Sequence, residues 1–261
     1  MRKDSREPRV LLGDFTRVEF RALIEAKRTR IGILPVAATE QHLHHLEMST
    51  DCTEIEFVTR GAARRVAPLA IIAPTVSVGV SEHHMQHAGS LTVRWEIFTE
   101  YVFDIVESLV RGGLRKIVIL NGHGGNTRPL FSVMDRFRAR LPQAELCFFS
   151  YWDLLPDALP LTVLESRTAP GHAQEFETSA LHYIAPHKEA RSSSWMEDEP
   201  SGIFLGAIST LDTAPAPLIG CPRKLFRVLL SMCFASHSLH IGLADGPRRW
   251  DVGTEAALYP A

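Results

Sequence analysis

The stretch IGILPVAATEQHLHHLEMSTD, residues 31–51, runs from a purely apolar segment into Glu40, Gln41, His42, His44, His45, Glu47 and Asp51. Its first part, residues 31–37, is short and rich in β-branched side chains, so it reads as a buried strand. A helix is expected to begin at Thr50 or Asp51, with Ile55, Val58, Ala62 and Val66 on one face. A buried strand, a polar loop and a helix start in succession are the repeating unit of an α/β protein. In such proteins the polar groups collect at the carboxyl ends of the strands.

The rest of the chain repeats this unit. AIIAPTV (70–76) reads as the next strand, followed by a helix over 93–113 with Ile97, Tyr101, Ile105 and Leu109 at helical spacing. Gly112 and Gly113 end that helix. KIVIL (116–120) is apolar throughout, as a strand buried on both faces of a parallel sheet would be. A helix near 127–140, the strand ELCFFS (145–150) and a helix over about 175–184 complete the pattern. A last helical signal lies near 223–242, and the Pro- and Ser-rich stretch 191–221 reads as an arm, a lid or an oligomer contact. No boundary divides the chain, so residues 1–261 are expected to form one α/β domain with a mostly parallel sheet.

Composition narrows the classes. With 261 residues, 45% of them hydrophobic, the chain can build a sizeable core. A net charge of -2 gives no electrostatic case for nucleic acid or an anionic membrane. Cys52, Cys147, Cys221 and Cys233 are scattered, without the spacing of a zinc ribbon or a disulfide framework. The N-terminal MRKDSREPRVLLGDF lacks the apolar run of a signal peptide, and a cytoplasmic location is expected.

Four polar clusters remain. Glu40 and His42 alternate on an extended segment and so point to one side. Asp51, at a helix start, can be aimed back at them. Carboxylate, imidazole and carboxylate suit Zn²⁺, Mn²⁺ or Fe²⁺; a surface Glu–His pair with an N-capping Asp is the alternative. His44 and His45 stay outside this ligand set. In NGHGGN (121–126), glycines flank His123 and let the backbone turn sharply and approach a ligand. A phosphate cradle or a plain tight turn is the alternative there, although the Walker and GxGxxG spacings are absent. In GVSEHHMQHAGSLTV (79–93), Ser81, Glu82, His83, His84 and His87 read equally as substrate contacts or as a solvated loop. In GHAQEFETSALHYIAP (171–186), Glu175 and Glu177 occupy a first helical turn, where acids also simply favour the helix dipole. His182 and His187 look incidental.

Taken together and in this order, LPVAATEQHLHHLEMSTD, GVSEHHMQHAGSLTV, LNGHGGN and GHAQEFETS resemble the motifs of the creatininase (creatinine amidohydrolase) family over about residues 31–186. The resemblance implies a three-layer α/β/α sandwich. It also implies a metal-dependent amidohydrolase that cleaves a C–N bond of a cyclic amide, formamide or peptide-like substrate through a water activated by two divalent metal ions. Zn²⁺ is expected first, with Mn²⁺ or Fe²⁺ as alternatives. The partner implied is a small-molecule amide, with assembly into a homo-oligomer, commonly a hexamer.

Carried over residue by residue, Glu40, Asp51 and His123 hold one metal, while His42 and the shared Asp51 hold the second. The family's remaining acid falls on Gly125 here, so Glu177, or else Glu175, replaces it. His172 matches a catalytic acid/base, with Glu177 as its companion. Ser81, His83, Gly124, Gly125 and Trp152 are the expected substrate contacts. The chain departs from the family pattern at Leu43, where glycine is usual, at His44 and Glu47, where proline is usual, and at Gln174, where glycine is usual. It also reads His87-Ala88-Gly89-Ser90 in place of FPGT. A non-catalytic metal-binding or assembly protein on the same fold is the alternative function.

Overall fold

The computed structural model describes residues 7–155, 158–167, 169–186, 240–243 and 246–249. Helix α1 (Arg17–Glu25) opens the chain behind a capping box in which Thr16 and Glu19 satisfy each other's backbone amides. Strand β1 (Ile31–Val36), helix α2 (Thr50–Arg65), strand β2 (Ala70–Ile72) and helix α3 (Trp95–Arg111) follow. Then come β3 (Lys116–Asn121), α4 (Gly124–Arg140), β4 (Glu145–Ser150), α5 (Ala158–Val163) and α6 (Glu175–Ile184).

The four strands form one parallel sheet in the order β2-β1-β3-β4. Side chains alternate across it as a pleated strand requires. Leu34, Val36, Ile117 and Ile119 pack under α3 and α4. Ile31, Ile33, Val118 and Leu120 pack under α2. Helices thus cover both faces, giving the expected three-layer α/β/α sandwich. Pro35 sits in the central strand without harm. The polar groups of alternate β1 residues face the β2 side, and β2 has ended at Ile72 before an amide of residue 35 would be needed.

Strand order places the site. The chain leaves β1 for α2 on one face and leaves β3 for α4 on the other. Between the carboxyl ends of these adjacent strands lies the crevice where ligands bind in open α/β sheets. The register pairs Val36 with Asn121, so the loops carrying Glu40 and His123 emerge side by side.

Three details differ from the sequence reading. Strand β2 is only Ala70–Ile72, because Pro74 follows and pairing resumes as a single bridge between Val36 and Val76. The buried side of α3 is Phe98, Val102, Phe103, Val106, Leu109 and Val110, whereas Ile97 and Tyr101 are half exposed. Both stripes are apolar, so periodicity alone could not choose between them. Residues 191–221 lie outside the described residues, as does the helical signal near 223–242 up to residue 239. Its last residues belong instead to a strand, β5 (His240–Leu243), paired antiparallel with β6 (Gly246–Arg249). Among the described residues no helix is long and apolar enough to cross a membrane.

Candidate metal centre

The site is built from the segment after β1, the first turn of α2, the tip of β3 and the first turn of α6. Asn121 shapes the β3 tip. Its Oδ1 accepts the His123 amide at 3.1 Å and its Nδ2 donates to the His123 carbonyl at 2.7 Å. His123 then caps α4. Asn126 ties this turn to its neighbours, accepting from Val80 N and donating to the Ala37 carbonyl.

Asp51 lies at the centre. Its Oδ1 is 3.0 Å from His42 Nε2, and its Oδ2 is 3.1 Å from His123 Nδ1. Glu40 Oε1 is 3.2 Å from the same His123 nitrogen, and Glu177 Oε2 is 3.8 Å from His42 Nε2. All five side chains are buried. The expected ligand sets are therefore assembled around one carboxylate: Glu40, Asp51 and His123 on one side, His42, Asp51 and Glu177 on the other.

The outer nitrogen of each imidazole faces a backbone carbonyl. His42 Nδ1 donates to Glu40 O at 3.1 Å, and His123 Nε2 donates to Val80 O at 3.1 Å. A carbonyl only accepts, so the nitrogens turned toward Asp51 are the ones left to bind a metal. Among the described residues Glu40 Oε2 is buried with no hydrogen-bond partner, a cost that a cation would remove. The donor set of imidazole nitrogens and carboxylate oxygens fits Zn²⁺, Mn²⁺ or Fe²⁺.

Electrostatics supports the same reading. Burial alone would neutralise every group here. For Glu40, the charge of His123 outweighs burial and holds the carboxyl at about 2. Asp51 is also lowered against burial, by His123 and His42. Burial pushes His42 down, yet Asp51 and Glu177 raise it to about 9; Glu40 and Asp51 raise His123 well above its usual value in the same way. Without metal, two imidazolium ions thus supply the positive charge that these carboxylates demand.

His172 and His84 behave oppositely. Burial and the nearby His42 charge push His172 down to about 3. Burial lowers His84 to about 4, with only partial compensation from Glu40. The His172 ring lies 4.5 Å from that of His42 and 4.4 Å from that of His84.

The other sequence candidates divide. Ser81 is buried, with Oγ 3.3 Å from His123 Nε2. His83 is exposed and its ring stacks on His123 at 5.9 Å. Gly125 is a steric necessity, since an added Cβ would meet Val80 O and come within 2.5 Å of the His123 ring. Glu175 is not brought into the cluster. Its carboxylate accepts the backbone amides of Glu165 (3.1 Å) and Ser166 (2.8 Å) and so ties down the preceding loop. Two residues along a helix point to nearly opposite sides, so only one of Glu175 and Glu177 can face inward. Trp152 is half-buried and packs edge-on against Tyr151 at 5.1 Å. His44 is exposed, and His45 Nε2 is 3.1 Å from Thr178 Oγ1, so neither is turned into the cluster around Asp51.

The sequence reading did not single out Gln41, Glu54 or Tyr151, and it left His84 among the residues of 79–93 that read equally as substrate contacts or as a solvated loop. Glu54, one turn after Asp51, accepts the Tyr151 hydroxyl at 2.6 Å. Burial raises Glu54 well above the ordinary carboxyl range, and burial together with Glu54 does the same to Glu177. An acid three residues after Asp51 on one helix face is the signal by which Glu54 could have been found. For His84 there was none, since its neighbour His83 looks alike in sequence.

The family model for creatinine amidohydrolase, named Creatininase, matches residues 13–217. The chain belongs to the creatininase family. Creatinine amidohydrolase of Pseudomonas putida is 28% identical over 191 residues, covering 68% of this chain and 72% of that protein. Mycofactocin precursor peptide peptidase of Mycobacterium tuberculosis (strain CDC 1551 / Oshkosh) is 28% identical over 174 residues, covering 62% of this chain and 61% of that one. Solved structures of creatininase in a Mn form and in a mutant Zn-Zn form superpose with TM-score 0.64 at 24% identity, over 86% of this chain and 94% of theirs. They share the fold. Against the creatininase pattern, the departure at residue 43 now has a physical consequence. Leu43 adopts φ +54°, a left-handed conformation that glycine adopts without cost.

Proposed function

We propose that the chain is a metal-dependent hydrolase of C–N amide bonds that works with two divalent metal ions, Zn²⁺ foremost and Mn²⁺ or Fe²⁺ as alternatives. The observation that carries this reading is Asp51. Its two carboxylate oxygens face two imidazoles whose far nitrogens are tied to backbone carbonyls. One similar protein is named for creatinine and another for a peptide precursor, and the bond class common to both is the C–N amide. Glu40, Asp51 and His123 would hold one ion, and His42, Asp51 and Glu177 the other. When bound, such a pair supplies a water acidified toward neutrality and a positive charge facing the carbonyl oxygen.

The protein's own groups do the rest. His172, buried beside His42 and His84, takes up the proton that the attacking water releases and returns it to the leaving nitrogen. Amide nitrogen leaves poorly until protonated, so a placed carrier is required. Glu177 anchors the neighbouring backbone by accepting the Ala173 amide, which fixes the segment that bears His172. Ser81, His83 and Gly125, which lie against the His123 ring, together with Gly124 and Trp152, are the proposed substrate contacts.

Metal analysis followed by an activity screen over small lactams, formamides and short peptides tests this. About two equivalents of metal and turnover on one substrate class are expected. Less than one equivalent, with no hydrolysis after reconstitution, would leave a binding or assembly protein. His172→Ala should keep its metal while kcat falls by about 10² to 10⁴; unchanged turnover would remove His172 from the reaction.

A further inference from the structure

Gln41 and His84 take no part in the reaction outlined above, yet both are buried beside it. The Gln41 carboxamide has a determined orientation. The backbone N–H of Leu43 donates to its Oε1 at 2.9 Å, and a backbone amide has nothing else to offer. The NH₂ end therefore faces His84 Nδ1 at 2.9 Å and His172 Nε2 at 2.8 Å. An amide NH₂ only donates, so both ring nitrogens must accept. An imidazole that accepts at one nitrogen carries its proton on the other and is neutral. His84 is thus protonated on Nε2 and His172 on Nδ1.

Both of those N–H groups are turned to Glu40 Oε1, each at 3.6 Å, which is too long for a hydrogen bond. The same assignment decides a second question. Glu40, His84 and His172 can bring ligand atoms within 4.8 Å of one another, the spacing of a cation site. The nitrogens facing Glu40 bear protons, however, and the lone pairs are turned to Gln41. The cluster is a pair of donors and not a third metal site.

We propose that Gln41 is a positioning residue that fixes these two tautomers, and that His84 Nε2–H is the hydrogen-bond donor to the carbonyl oxygen of the amide substrate. This rests on the hydrolase reading. A carbonyl oxygen beside Glu40 has two lone pairs and gains negative charge as the carbon is attacked, so a preset donor aimed there strengthens in the transition state. A neutral imidazole suits the task because an imidazolium would be repelled by cations held next to it. Holding His172 neutral serves the same reaction, since its carrier role starts by accepting a proton. When Nε2 of His172 takes that proton, Gln41 must release it, while the bond from Gln41 to His84 persists.

Long-range ¹⁵N–¹H imidazole spectra of the Zn²⁺-loaded protein read the tautomers without any substrate. The expected result is His84 protonated on Nε2 and His172 on Nδ1, with both reversed in Gln41→Glu, whose carboxylate can only accept. The opposite tautomers in the unaltered protein would overturn the positioning role, whatever the protein hydrolyses. Separately, His84→Leu should lower kcat by about 10² with metal content unchanged. His84→Gln, whose amide places an N–H near the Nε2 position, should recover most of the loss. Loss of metal in His84→Leu would make His84 a ligand, and full turnover in His84→Leu would remove the donor; either result sinks the proposal. If no amide is turned over by the unaltered protein, the hydrolase reading fails while the tautomer assignment stands on its spectra.

Discussion

The two proposed ligand sets differ in what holds them. Glu40, Asp51 and His123 come from segments fixed directly by the sheet, at the end of β1, the start of α2 and the tip of β3. Once β1 and β3 pair with Val36 opposite Asn121, these three have little freedom to be elsewhere. The second set needs Glu177, on a helix outside the sheet. Helix α6 docks through a small cluster of Leu46, Ala173, Leu181 and Ala185, a contact between His45 and Thr178, and the rings of Phe176 on Tyr151 and Tyr183 on Phe57 of α2. The lesson is that one half of the centre follows from the pairing of the sheet, whereas the other depends on the docking of a single helix.

That contrast can be broken most severely at the residue both halves share. Asp51→Ala is expected to release both metal equivalents and reduce activity by more than about 10³. Full metal content in that variant would end its bridging role. Glu177→Gln should separate the halves, leaving the first equivalent bound while the second weakens by about 10- to 100-fold, as seen in a metal titration. Equal weakening of both would show that the halves are not independent.

Acidity sharpens the comparison without mutation. In the metal-free protein, the raised His42 and His123 contribute stability that is complete below about pH 6.5 and, for His42, lost as pH rises through about 9. The raised carboxyls of Glu54 and Glu177 act in the same direction, because their unfolded counterparts ionise above about 4.5. The lowered Glu40 contributes stability that is present above about 4.5 and lost as pH falls through about 2. Melting without metal should therefore peak between about pH 4.5 and 6.5 and decline toward about 9. Divalent metal competes with the imidazole protons, so its stabilisation should grow as pH rises. A metal-induced shift independent of pH would contradict the assignment of His42 and His123 as ligands.

The smallest effect is expected at Leu43, in the loop that links the halves. Its side chain is 47% exposed, so little burial is lost on removal. Relief of the left-handed backbone by Leu43→Gly, about 1–2 kcal/mol, exceeds the glycine entropy cost of about 0.5–1 kcal/mol. A gain of about 1 kcal/mol, or a few degrees in Tm, should follow; a loss would show that the loop uses its leucine.

Much of this centre was legible in the sequence because the chemistry is local there. Glu40, His42 and Asp51 lie within one short segment, where an extended run and a helix start dictate direction. The glycines around His123 announced a tight approach, and the Gly125 contacts show why no side chain fits. The buried stripe of α3 was not legible, since two apolar stripes on one helix look alike until a sheet covers one of them. Nor was His84, which differs from exposed His83 only in the direction a short 3₁₀ turn gives it.

By itself, the sequence determined the α/β class and the crevice at the strand ends, and it offered Glu40, His42 and Asp51 as groups placed there, whereas Glu177 and His172 came from the family resemblance. The former follow from periodicity and from the directions a strand or a helix start imposes on nearby side chains. Only the tertiary structure decided that Glu177 faces inward while Glu175 ties a loop, that Gln41 spans two imidazoles, and that Asp51 stands between His42 and His123. Such choices depend on contacts between segments far apart in the chain, and residue spacing carries no information about the distance between two elements that have yet to pack.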